Sequence, residues 1–184
     1  LFLVRPSQMA LAHRLDQFHR VGDHVELTGY AYVEKVDLGV HDQKVEVVLH
    51  DRVSGESLTF EAVSGLDAAD PDNPLPVGDD WCDYRPGHFV AQIPVTAFEG
   101  GPWHLSLRVS VGEHTVDDLV TNVLRRGPLG LPPVLALPND ARLAMNWRAA
   151  HPVELVRSTG AVGIVEVNLQ GRTLSGRLHD QRSG

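Results

Sequence analysis

Trp103-His-Leu-Ser-Leu-Arg-Val-Ser-Val111 decides the fold class. Trp103, Leu105, Leu107, Val109 and Val111 alternate with His104, Ser106, Arg108 and Ser110. A strand with one buried face produces that period of two. Gly112-Glu113 then turns the chain into Thr115–Val123. Working upstream, Phe89, Ala91 and Ile93 form another such strand, closed by Pro94. Val45, Val47 and Leu49 alternate with Lys44, Glu46 and His50, and Asp51-Arg-Val-Ser-Gly-Glu56 is a hairpin connection into Leu58–Val63. In Val25–Val33 the odd positions Val25, Leu27, Gly29, Ala31 and Val33 face one way. Glu26, Thr28, Tyr30 and Tyr32 face the other.

Met9, Ala12, Leu15 and Phe18 fall at helical spacing, yet Gly22-Asp23 follows as a turn. The second half of Met9–Val21 therefore reads as the first strand of a hairpin returning through His24–Val36. That makes about seven strands between residues 13 and 123, with no strand–helix–strand alternation. The predicted fold is all-β, an antiparallel immunoglobulin-like β-sandwich over residues 10–125. Its core should hold Leu27, Val47, Leu49, Phe89, Ile93, Trp103, Leu105, Leu107 and Val109.

Two stretches break the regularity. Ser64–Gly87 is a long connection with four Pro and a run of Asp, of a length that is often functional or hides a short element. Arg125-Arg-Gly-Pro-Leu-Gly-Leu-Pro-Pro133 leaves the sandwich for a linker read over 126–140. Residues 141–184 hold further strands at Leu143/Met145/Trp147, Val153/Leu155, Val162–Leu169 and Thr173–Leu178. Arg20–Gly29 and Leu169–Gly176 share a strand, a Gly turn and an alternating strand ending in Gly. The tail is either extra C-terminal strands or the truncated start of a second sandwich.

At 184 residues the chain is one domain, or one plus a fragment. Hydrophobic residues at 42% and charged residues at 22% argue against wholesale disorder. A net charge of −8, from 24 Asp+Glu against 16 Lys+Arg, argues against nucleic acid or an anionic membrane as partner. The single Cys82 excludes an internal disulfide and a Cys-rich zinc site. No apolar run reaches about 18 residues, so no membrane insertion is expected. Leu1–Val4 stops at Arg5-Pro6 without a basic n-region, unlike a signal peptide, and a chain opening at Leu reads as a segment of a longer polypeptide. Lys occurs only at Lys35 and Lys44, the other basic residues being Arg, a bias that fits a GC-rich bacterial genome.

The motifs that carry chemistry are few. Asp70-Pro-Asp72 has the form that glycosyltransferases use to hold a metal on a nucleotide diphosphate, but it lies in a Pro-rich loop rather than at a strand end of an α/β fold. Asp70, Asp72, Asp79 and Asp80 could instead hold calcium, although EF-hand spacing is missing, and plain surface charge is the simpler account. Ten His include no His-Glu-x-x-His, so His50 and His104 read as solvent-facing strand residues. No Gly-x-Ser-x-Gly is present and Cys82 has no nucleophile context. No cofactor and no catalytic residue is assigned. Aromatics remain. Trp81 and Tyr84 sit in the acidic loop, either packing on the sandwich edge or contacting a ligand. Tyr30 and Tyr32 share a strand face that suits a protein–protein contact or a sugar.

Val25-Glu-Leu-Thr-Gly-Tyr-Ala-Tyr-Val-Glu-Lys-Val-Asp-Leu38, His41-Asp-Gln-Lys-Val-Glu-Val-Val-Leu-His-Asp-Arg52 and Gly101-Pro-Trp-His-Leu-Ser-Leu-Arg-Val109 together resemble one family. They are similar to the non-catalytic β-sandwich regions of actinobacterial family 2 glycosyltransferases and teichoic-acid-type glycerophosphotransferases. The resemblance covers residues 10 to 125. It implies an accessory module of a cell-envelope polymer glycosyltransferase, serving oligomerisation or acceptor positioning, with the active site in a separate domain. The implied partners are copies of itself or that catalytic domain, and the implied place is cytoplasmic, at the membrane through the parent protein. The alternative is a carbohydrate-binding or adhesive module on the extracellular surface. Direct capture of a polyanion would need a local Arg cluster or bridging cations, and Arg125-Arg126 is the dense pair in sequence, so contact with protein subunits or neutral sugar is expected over phosphate capture.

Overall fold

The computed structural model describes residues 9–66, 81–124, 134–148, 151–159, 162–170 and 173–180, the last two stretches by their backbone. Seven strands fill the first two thirds: β1 (Leu11–Val21), β2 (His24–Val33), β3 (Gln43–Asp51), β4 (Ser57–Leu66), β5 (His88–Pro94), β6 (Trp103–Val111) and β7 (His114–Leu119). Then come β8 (Val134–Ala136), β9 (Ala141–Asn146), β10 (Glu154–Thr159), β11 (Val162–Gln170) and β12 (Thr173–Asp180). Among the described residues there is no α-helix; short 3-10 turns stand at Arg85–Gly87 and Val95–Phe98. β1 runs through the whole of Leu11–Val21, including the part with helical spacing, because all of its residues but Asp16, at a bulge between Leu15 and Gln17, pair with β2.

The strands follow one another as β1-β2-β5-β4-β3-β6-β10-β9-β8, with β7 also on β6. All these pairs are antiparallel. The two expected layers are joined. β4 pairs with β3 through Ser57–Ala62 and with β5 from Val63 onward. Gly65, at φ +76°, supplies the left-handed residue of the bulge where that second pairing shifts. At the opposite side Leu15 meets Val123 in a parallel bridge. The Leu15 N–H donates to the Asn122 carbonyl at 3.0 Å, and the Leu124 N–H donates to the Leu15 carbonyl at 2.7 Å. The antiparallel sheet is thereby nearly closed into a barrel.

Inside it lie the residues that alternation selects. Leu27, Val47, Leu49, Phe89, Ile93, Trp103, Leu105, Leu107 and Val109 are all buried. The core continues into the later strands, because Leu137, Leu143, Met145, Val153 and Leu155 belong to the same cluster. β8, which falls within 126–140, is the outermost strand of this extension. The junction is made by backbone. Leu105 donates to the Val153 carbonyl, Val153 to Val120 and Val120 to Leu105, at 3.1, 2.7 and 2.9 Å. β7 leaves the edge of β6 at that point, and β10 takes over the pairing at Trp103 and His104. β11 and β12 pair with each other as a two-stranded antiparallel sheet.

The face of β2 opposite the core is also buried. Tyr30 and Tyr32 are 5% and 6% exposed, whereas alternation alone would leave them at a half-exposed surface. Leu38, Val36, Cys82 and Tyr84 pack over them as a second small cluster. Backbone bonds fasten that cover. The Leu38 N–H donates to the Asp83 carbonyl, and Asp37 Oδ1 accepts from the Asp83 N–H at 2.8 Å.

Candidate functional site

The aromatic residues singled out from sequence separate into two groups. Tyr30, Tyr32 and Tyr84 come together as a ladder, with ring centroids 5.9 Å apart for Tyr30–Tyr32 and 4.1 Å for Tyr32–Tyr84. The Arg14 guanidinium caps it 4.8 Å from the Tyr30 ring centre and is itself bonded to Asp16. The Tyr84 hydroxyl accepts from the Lys35 N–H at 2.8 Å. Burial raises the Tyr30 hydroxyl pKa, with Arg14 opposing. At this burial the three rings pack on each other and offer almost no face to a ligand. Trp81 stands apart at 87% exposure. Nearby, the Arg85 guanidinium holds the Asp83 carboxyl down to about 2. Asp70, Asp72, Asp79 and Asp80 lie outside the described residues, as do Arg125 and Arg126.

A different arrangement gathers polar groups on the outer face of the joined sheets. Register places Ser57, His50, His104, Glu154 and Asn146 in one row across β4, β3, β6, β10 and β9. Successive strands stand about 4.8 Å apart, so side chains on such a row touch their neighbours. His50 uses both ring nitrogens, each 2.8 Å from a hydroxyl, Ser57 on one side and Ser106 on the other. His50 and His104 lie on the outer, polar face that alternation gives them, and both are half-buried within the row.

Next to this row opens a cleft of about 630 Å³, lined by Arg52, His104, Asn146, Trp147, Arg148, His151, Pro152 and Glu154. Its members come from three places. Arg52 projects from the β3–β4 turn, which Asp51 organises by accepting the Val53 and Ser54 N–H groups at 2.7 and 3.1 Å. Those backbone bonds lower the Asp51 pKa. His104 comes from β6. Asn146 ends β9, Glu154 begins β10, and the others lie in the connection between them, where the His151 N–H donates to the Arg148 carbonyl. Trp147 is anchored by its Nε1–H on the Thr121 carbonyl at 2.9 Å.

Electrostatics within the cleft are ordered. Arg52 Nη1 donates to Glu154 Oε1 at 2.6 Å, and Asn146 Nδ2 reaches the other carboxylate oxygen at 3.5 Å. Arg52 above all, with help from Asn146 and His104, lowers the Glu154 pKa. Burial lowers the His104 pKa; Arg52 and His50 push the same way and Glu154 opposes. His104 lines this cleft with the Arg52 and Arg148 guanidiniums, and imidazole nitrogens can donate or accept hydrogen bonds. The cleft can thus bind polar and anionic groups. Among the described residues no group of three His, Cys, Asp or Glu is placed to hold a metal.

Sequence reasoning missed Arg52, Arg148 and His151, and read Trp147 only as part of a further strand; the strand ends at Asn146, and Trp147 follows it, partly buried against the core. The available signal was Trp147-Arg148 with His151 in the turn after an alternating strand.

No protein-family model and no curated protein matches the chain. Two solved structures match its three-dimensional arrangement. In fold, the chain is similar to part of S. aureus TarS. The crystal structure of TarS 217–571 aligns with a TM-score of 0.53 and 12% identity, over 92% of this chain and 46% of that one. The crystal structure of TarS aligns with a TM-score of 0.56 and 13% identity, over 91% of this chain and 29% of that one. The chain therefore spans less than half the length of either TarS structure. At such identity TarS shares the fold with this chain, and no residue of TarS lends a role to a residue here.

Proposed function

We propose that the chain is an accessory region of a teichoic-acid glycosyltransferase, acting by oligomerisation or by positioning the acceptor while a separate domain transfers the sugar. One observation carries this: the fold is similar, over more than nine tenths of the chain, to part of TarS, a teichoic-acid glycosyltransferase. We take the β1–β7 barrel as a variant of the immunoglobulin-like sandwich. Its strand order β1-β2-β5-β4-β3-β6-β7 is the order in which the strands ABED and CFG of a constant-type domain run when the two sheets are joined. In this proposal residues 10–125 are the sandwich and the later strands extend it. No helix of the described residues is long and apolar enough to cross a membrane, and the proposed location is the cytoplasmic side, held at the membrane by the parent enzyme. The alternative, a carbohydrate-binding or adhesive surface module, draws on the exposed Trp81 ring.

The test compares the parent transferase with and without this region. Sedimentation should show a lower oligomeric state for the shortened enzyme, or polymer glycosylation should fall while turnover of the nucleotide sugar persists. An enzyme unchanged in both oligomeric state and transfer to polymer refutes the accessory role.

A further inference from the structure

The cleft beside the polar row differs from the rest of the molecule in charge. The protein carries a net charge of −8, yet this cavity is lined by two arginines and a single carboxylate. Glu154 is committed to Arg52 at 2.6 Å. Arg148 has no side-chain partner among the described residues and is exposed at the cleft wall. One guanidinium is thus fixed in direction and a second is uncompensated. Two planar forks of donors suit the tetrahedral oxygens of a phosphate better than a point charge would. The remaining wall has a different chemistry. Trp147, tethered at its Nε1–H, presents an apolar ring, and Asn146 and Glu154 present hydrogen-bonding oxygens and an amide. An aromatic surface beside such groups is complementary to carbon-bound hydrogens and hydroxyls of a sugar or polyol. The volume, about 630 Å³, accommodates one repeat of such a ligand.

We propose that this cleft binds a hydroxylated phosphodiester. Arg148 and Arg52 take the phosphate, and Trp147, Asn146 and Glu154 take the flanking polyol. This rests on the accessory role proposed above, for which it supplies a means of holding an acceptor chain. It also meets the electrostatic difficulty of an acidic protein with a polyanionic partner, because the attraction is local and short-ranged at physiological salt.

The test is a nuclear magnetic resonance titration of the full 184-residue chain with bis(glycerol) phosphate, glycerol and inorganic phosphate. The diester should move the Trp147 indole N–H and the Asn146 and His104 amides to saturation while the Trp81 indole stays in place. Glycerol should leave all of them unmoved. Losing a charge-assisted hydrogen bond, Arg148→Gln should weaken the diester about tenfold, and Arg108→Gln, on the far part of β6, should not. The Arg148 side chain is exposed and has no partner among the described residues, so an amide spectrum superimposable elsewhere will show that the variant folds. The absence of saturable shifts, or undiminished binding by Arg148→Gln, overturns the site. Inorganic phosphate binding as tightly as the diester overturns the polyol half of it. If the chain fails to bind while its removal still impairs the parent transferase, the cleft is refuted and the accessory role stands.

Discussion

Gly29→Ala tests the closure of the barrel at its tightest point. Gly29 lies in β2 opposite Leu15, at the bulge of β1, with Phe89 of β5 on its other side. A methyl group added there would overlap the Arg14 carbonyl oxygen, and would stand 3.2 Å from both the Arg14 carbonyl carbon and the Leu15 Cα. All three are backbone atoms of β1, so no side chain can swing aside. β1 must move away from β2, and Leu15 also carries the two backbone bonds to Asn122 and Leu124 that close the sheet. Overpacking of this kind costs up to about 3 kcal/mol. The more restricted unfolded chain of the alanine variant returns about 0.4–1 kcal/mol. The net loss is about 2 kcal/mol, which for a protein of this size lowers the melting midpoint by roughly 4–8 °C. Thermal unfolding followed by far-UV circular dichroism measures it, and hydrogen exchange at the Leu15 and Leu124 amides should speed up in the variant. A midpoint equal to or above that of the parent protein would refute the account of the closure.

Three further outcomes follow from packing and protonation. Leu107→Ala removes a side chain that is 1% exposed at the centre of β6 and should lower the unfolding free energy by about 2–5 kcal/mol in urea titrations; a surface-like loss of a few tenths of a kcal/mol would contradict its place in the core. Tyr84→Phe deprives the Lys35 N–H of its acceptor and should cost about 1 kcal/mol, whereas no change in the urea midpoint would show that bond to be idle. His13 is buried, accepts from the Thr121 N–H at its Nε2, and has its pKa lowered from 6.5 by desolvation, against Asp118 and the Leu11 backbone. Below 6.5 the unfolded chain therefore binds more protons than the folded one, so stability is full above that pH and declines as acid is added. His13→Gln should flatten that decline, and a parent protein with constant stability from neutral pH down to pH 5 would disprove it.

Much of the barrel was legible because a strand with one wet face writes its phase directly into the sequence, as Trp103–Val111 does. β1 was half legible, since Met9, Ala12, Leu15 and Phe18 satisfy helical spacing by coincidence, and the choice is made by pairing with β2. The sharing of β4 between β3 and β5 was not legible, because nothing in the alternation of Leu58–Val63 marks the change of partner between Ala62 and Val63. Tyr30 and Tyr32 were correctly phased away from the core, but what covers them arrives from residues 36–38 and 82–84. Alternation describes a strand and not what folds back over it. The cleft was invisible for a similar reason. Arg52 and Glu154 are 102 residues apart in sequence, and they meet only because β10 takes over the edge of β6 that β7 vacates.

The accessory role is tested most directly by acceptor length. The proposed parent transferase, with and without this region, is assayed for kcat/KM on a long teichoic-acid chain and on a single-repeat acceptor. A region that assembles the enzyme or holds the polymer should matter for the long acceptor and leave the short one nearly unchanged, so its removal should reduce the long-to-short ratio of kcat/KM. An identical ratio in the two enzymes, with an unchanged oligomeric state, would contradict the role proposed for this chain.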